Sequence, residues 1–192
     1  MGKATGPTYK VAFRRRRSQL TNYAKRLALV KSMLPRMVVR KSNKGIKVQF
    51  VSFTPKGDTV IASAHSSLLS KYRWMPKRNS PTAYLTGMLC ARLAMKKGVK
   101  DFVLDIGLQT PSKGSVVFAA LKGALDAGLQ TPHDAGMIDD KRIAGEHISA
   151  FAKSAKAAGT YDRIFAEYKK AGLDAEKIGE LFATAKQQIS GS

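Results

Sequence analysis

No aspartate or glutamate precedes Asp58 in this 192-residue chain. The basic residues in that opening stretch are Lys3, Lys10, Arg14, Arg15, Arg16, Arg17, Lys25, Arg26, Lys31, Arg36, Arg40, Lys41, Lys44, Lys47 and Lys56. Local self-neutralisation is therefore excluded, and a polyanion is required to relieve the repulsion. Cysteine is nearly absent too: Cys90 stands alone, which rules out an intramolecular disulfide and a cysteine-clustered zinc site. It lies in an apolar helical pattern, where a small buried core residue is expected rather than a reactive thiol. No apolar run is long enough to span a bilayer, and the N-terminus lacks the apolar segment of a signal peptide. A soluble, intracellular, cytoplasmic protein is expected.

What is present is positive charge on a chain able to fold. There are 34 Lys+Arg against 13 Asp+Glu, a net charge of +21, with 44% hydrophobic residues, enough for a real core. The charge is uneven. From Asp139 onward eight acids face nine bases, so the last quarter is nearly balanced. Nucleic acid or an anionic membrane is the partner class that composition allows.

Three regions follow: a basic arm and helix over 1–35, an α/β core over 36–136, and a helical C-terminal extension over 137–192. Residues 1–17 show no periodic apolar face and read as an arm ordered by its partner. Leu20, Tyr23, Leu27, Val30 and Leu34 recur at helical spacing, predicting a helix over 18–34 capped near Ser18 or Thr21 and ended by Pro35. Met37–Val39, Ile46–Phe53 and Val60–Ala62 read as strands separated by turn signals, which predicts an antiparallel meander. Ser80-Pro81 opens a largely buried helix to about Lys97, with Ser80 as cap. A strand over Phe102–Ile106 and a helix over Ser115–Ala127 then form a βαβ-like unit beside the meander. The Ala-rich remainder predicts helices over 139–157, 162–170 and 175–189. The fold class is α/β, built on a small mixed sheet.

The four adjacent guanidinium forks of Arg14–Arg17 suit phosphate oxygens along a folded RNA backbone. A localisation signal or solvated charge run would look similar, but the lack of any compensating acid favours nucleic-acid contact. Arg40, Lys41, Ser42, Asn43 and Lys44 fall at a strand end and turn, where they can reach phosphate, 2′-OH or base edges. An ordinary exposed hairpin tip fits equally well. Tyr72, Arg73 and Trp74 beside Lys77 and Arg78 interleave aromatic and basic residues as a stacking platform would, although a Trp tucked into the core is at least as consistent. Gly107–Ser115 superficially looks like a P-loop, but Lys113 precedes Gly114 rather than following it, so nucleotide hydrolysis is unsupported. Lys113 could still meet an RNA phosphate at the following helix, although a plain connecting loop fits slightly better. His65, His133 and His147 match no metal-ligand spacing, and Asp101 and Asp105 read as ordinary strand-end carboxylates. No cofactor, metal, small-molecule substrate or catalytic group is expected.

Several ordered blocks carry a family resemblance. These are Tyr9-Lys10-Val11 with Arg14–Arg17 and Thr21-Asn22-Tyr23, then Arg40–Lys44, Ala62–Ser66, Ala83–Gly87, Val103–Leu108, Val117–Leu129 and Thr131-Pro132-His133. Together they resemble the archaeal-type 5S rRNA-binding protein of the large ribosomal subunit, universal large-subunit family eighteen, from about Tyr9 to Gln187. The resemblance implies a ribonuclease H-like α/β motif without that enzyme's carboxylate set. It also implies residence in the central protuberance, attaching 5S rRNA to 23S rRNA beside the ribosomal protein of family five and other protuberance proteins. The RNA-binding residues expected are Lys10, Arg14–Arg17, Tyr23, Lys25, Arg26, Arg36, Arg40–Lys44, Lys47, Tyr72–Trp74, Lys77, Arg78 and Lys113.

Overall fold

In a computed structural model describing residues 6–191, the apolar alternation of the middle segments becomes a four-stranded mixed sheet in the order β3-β2-β1-β4. Strand β1 is Arg36–Lys41, β2 Ile46–Thr54, β3 Gly57–His65 and β4 Val103–Asp105. The first three form the expected antiparallel meander, with a bulge between Phe50 and Val51. The chain then crosses the sheet through a helix, and β4 pairs parallel to β1, leaving β1 central.

One sheet face is built to be covered. Met37, Val39, Ile46, Val48 and Phe50 point to it and are fully buried, as period-two side-chain direction dictates. Helices α3 (Ser80–Met95) and α4 (Val116–Asp126) form the opposing layer. The cap of α3 is Asn79, whose side chain accepts from the Thr82 N–H, rather than Ser80; Pro81 does sit in the first turn. The two helices meet backbone to backbone. A Cβ on Gly87 would lie 2.2 Å from the Ala120 carbonyl oxygen, and one on Gly123 would lie 2.1 Å from that of Tyr84. Cys90 is buried in this layer, and burial pushes its thiol up to about 12.

The C-terminal extension is more broken than its composition predicts. Gly145, at φ +86°, splits the expected first helix into α5 (Asp140–Ala144) and α6 (Glu146–Ala157). Helices α7 (Tyr161–Ile164), α8 (Ala166–Lys170) and α9 (Ile178–Gly191) follow. Phe165, Tyr168, Ile178, Phe182 and Ile189 join the same hydrophobic cluster as the sheet. Phe182 lies 5.2 Å from the Tyr84 ring and 6.2 Å from that of Trp74. The extension is thus packed on the core.

The N-terminal region departs most from expectation. The helix expected over 18–34 is shorter, α2 (Tyr23–Lys31), and a separate single turn, α1 (Arg14–Arg17), forms within the stretch read as an arm. Gln19, at φ +52°, breaks the chain between them, and Asn22 caps α2 by accepting from the Lys25 N–H. No residue of α2 is buried. The predicted apolar stripe is left without a core, with Leu20 and Leu27 more than half exposed and Tyr23 and Val30 only half-buried. Lys3 lies outside the described residues.

Candidate nucleic-acid interface

The second face of the sheet is not covered by the α3–α4 layer and carries charge instead. Arg36, in the middle of the sheet, is 3% exposed. Its two terminal nitrogens donate to Asp58 at 2.7 Å and Asp105 at 3.0 Å. Asp58 also accepts from Arg26 of α2 at 3.0 Å, and Asp105 from Arg40 at 3.1 Å. Asp105 takes a further bond from the Gly107 N–H at 2.8 Å. Gly107 itself (φ +65°) lies directly under the Arg40 guanidinium, where a Cβ would approach Cζ to 3.0 Å. Three arginines and two aspartates therefore form one ladder joining α2, β1, β3 and β4. In it each acid holds two arginines. Among the described residues no group of three His, Cys, Asp or Glu could hold a metal ion.

This ladder limits what its arginines can offer a ligand. The two terminal nitrogens of Arg36 are held between two carboxylates and are not free to grip phosphate. Arg26 and Arg40 are partly engaged in the same way, with 34% and 46% of their side chains exposed. For Trp74 the core alternative is the one the structure shows. It is 3% exposed, and its indole N–H donates to Thr82 Oγ1 at 2.9 Å, so it belongs to the core and is no stacking platform. Tyr72 packs partly against that core. Lys77 pairs with Glu167 of α8, while Arg73 and Arg78 are exposed. The aromatic–basic segment 72–78 is thus largely a bed for the C-terminal extension.

The remaining expected residues are open. Lys10 and Arg14–Arg17 are exposed, and among the described residues none forms an ion pair. All four arginines of the α1 turn are exposed. Arg15 Nε donates to Thr21 Oγ1 at 2.8 Å, which fixes that side chain against the start of α2. Tyr23 is half-buried, with its ring 5.0 Å from that of Phe13. Lys25, Lys41, Asn43, Lys44 and Lys47 are exposed. Ser42 closes the β1–β2 turn: its hydroxyl donates to the Gly45 carbonyl at 3.1 Å and accepts from the Gly45 N–H at 3.0 Å. This leaves Asn43 and Lys44 presented at the tip. Lys113 is exposed in the loop before α4.

Between α2 and the open sheet face lies a cleft of about 990 Å³. Sequence reading missed two of its residues, Gln49 and Gln109. Gln49 could have been found from its alternation with core residues in β2; Gln109 sits in a loop and carries no local signal.

Many unpaired cations at one end of a folded α/β body define a polyanion-binding protein by class. Similarity to known proteins narrows the class. A model of the family "Ribosomal large subunit proteins 60S L5, and 50S L18" matches residues 7–102 and 99–134. The large ribosomal subunit protein uL18 of Korarchaeum cryptofilum (strain OPF8) is 49% identical over 95% of this chain and 94% of its own length. The uL18 proteins of Thermofilum pendens (strain DSM 2475 / Hrk 5) and Saccharolobus islandicus (strain Y.N.15.51 / Yellowstone #2) are 48% and 46% identical, over 97% and 98% of both chains. The chain belongs to this family of large-subunit ribosomal proteins. The family model ends before the C-terminal extension, whereas the archaeal relatives align through it.

Proposed function

We propose that the chain is a non-catalytic structural constituent of the large ribosomal subunit that binds 5S rRNA and attaches it to 23S rRNA in the central protuberance. One observation carries the reading: Lys10, Arg14–Arg17, Lys25, Lys41, Lys44 and Lys47 are exposed without ion pairs in a member of a large-subunit ribosomal family. An rRNA backbone supplies the missing counter-charge. The Arg14–Arg17 turn grips phosphates, and the Asn43–Lys44 tip adds polar contacts to sugar or base edges. The family-five ribosomal protein and other protuberance proteins are the proposed neighbours.

The test is a gel-shift series with 5S rRNA at increasing salt. Neutralising eight phosphates gives a slope of log K on log salt of roughly −6 to −7. A flat salt response, or equal affinity for unrelated RNA or duplex DNA at moderate salt, overturns the reading. Co-sedimentation with large subunits is the companion measurement.

A further inference from the structure

We propose that the cleft between α2 and the open sheet face is a receptor for one unstacked nucleotide of the bound RNA. This rests on the RNA-binding reading and specifies how part of that surface recognises its ligand. The cleft, at about 990 Å³, lies in the range of pockets that enclose small organic groups. Its lining is divided by chemistry. Val38, Val51 and Leu104 supply apolar surface, Gln49 and Gln109 supply amides, and Arg15, Lys25 and Lys41 supply positive charge. A phosphate backbone alone needs only the cations. Apolar wall, amide and cation together match the face, edge and phosphate of a single splayed nucleotide.

Two unfilled hydrogen-bonding atoms in the lining point the same way. Gln109 Oε1 and Arg36 Nε are both buried without a partner, and Arg36 is 3% exposed overall. One is an acceptor and the other a donor, and buried groups of either kind normally find a partner. A base offering an amino or imino N–H satisfies the Gln109 oxygen, and a base or ribose oxygen satisfies the Arg36 nitrogen. The geometry of α2 explains why the space is open. No α2 residue is buried, and Arg26–Asp58 is its ion pair to the sheet, so the helix stands off the sheet as a wall.

Two variants test the proposal in complexes with full-length 5S rRNA. Gln109→Leu removes the amide at similar volume, and Ala28→Trp fills the cleft from an exposed position on α2. Thermal melts confirm that both fold. Base-edge chemical probing of the wild-type complex is expected to show one protected unpaired nucleotide that both variants re-expose. Affinity is expected to fall about tenfold, with the salt slope unchanged in Gln109→Leu because that variant removes no cation. Wild-type protections and affinity in both variants overturn the cleft assignment and leave the RNA reading standing. A changed salt slope in Gln109→Leu also overturns it, since Gln109 would then act through phosphates. Failure of the wild-type chain to prefer 5S rRNA defeats the underlying RNA reading instead. Adenosine or guanosine monophosphate, added without RNA, distinguishes a free nucleotide: saturable binding lost in Ala28→Trp, with RNA protections unaltered, overturns the RNA source.

Discussion

The two ends of the molecule treat charge in opposite ways. In the C-terminal extension Lys156 meets Glu176 at 3.1 Å, Lys169 meets Asp162 at 2.8 Å, and Lys186 reaches Asp126 at 3.7 Å. Before Asp58, only Arg26, Arg36 and Arg40 have ion-pair partners among the described residues, and these are Asp58 and Asp105. Net charge alone says that a polyanion is needed. The distribution of counter-charge says where it lies, because the extension neutralises much of itself while the arm and the β1–β2 turn do not.

The comparison breaks most directly at Arg14–Arg17. Replacing all four by Ala removes up to four phosphate contacts. Affinity for 5S rRNA should then fall on the order of a hundred- to a thousandfold near physiological salt, and the salt slope should flatten by roughly 3. Folding stability should not change, since the turn buries nothing. Unchanged affinity would place the RNA contact elsewhere. Arg36→Met should do the reverse, lowering folding stability by about 3 kcal/mol in urea titration, because it takes the buried cation from between Asp105 and Asp58. The remaining bonds from Arg40 and Gly107 limit the cost. An Arg36→Met protein as stable as the wild type would show that the ladder does not hold the sheet together.

On the covered side, Gly87→Ala tests whether close approach of α3 and α4 sets the core spacing. The added methyl meets the Ala120 carbonyl, and separating the helices should cost about 2 kcal/mol. A neutral result in thermal melts would show that the helices can part freely.

The sequence made the sheet and the helix layer legible because their signals are local. Alternation from Ile46 to Phe53 and the apolar run from Tyr84 to Met95 each identify an element without reference to distant residues. The surroundings of Arg36 and Trp74 were not legible because their partners are not local in the same sense. Arg36 depends on Asp58 and Asp105, 22 and 69 residues away, and nothing near Arg36 announces that its charge is already matched. Trp74 hydrogen-bonds nearby Thr82 but is enclosed by Phe182. The α2 stripe failed differently: helical spacing of leucines predicts a helix, and one formed, but spacing does not say whether a core exists on that side. The cationic arm was readable from composition because its lack of partners extends through the whole segment.

The smallest effect sharpens the comparison within the balanced half. Asp126 accepts from the Tyr84 hydroxyl at 2.6 Å and meets Lys122 at 3.1 Å. Burial pushes its carboxyl up, but the Tyr84 and Lys122 contacts prevail and hold it below the usual carboxylate range. The same burial, with Asp126 as neighbour, drives the Tyr84 phenol well above its ordinary value. The fold therefore favours the Asp126 carboxylate. Its contribution is complete above the unfolded pKa, roughly 4, and is lost as pH falls through the lower folded value. Asp126→Asn should cost about 1 kcal/mol at neutral pH, discounted for partial exposure. The difference from wild type should stay level from about pH 5 to 8 and shrink below about pH 4. A gap that persists into strong acid would mean that Asn fails by shape rather than by charge. Because Asp126 also draws Lys186 of α9 toward α4, a charge-dependent gap would show that the extension is tied to the core by matched charge as well as by Phe182.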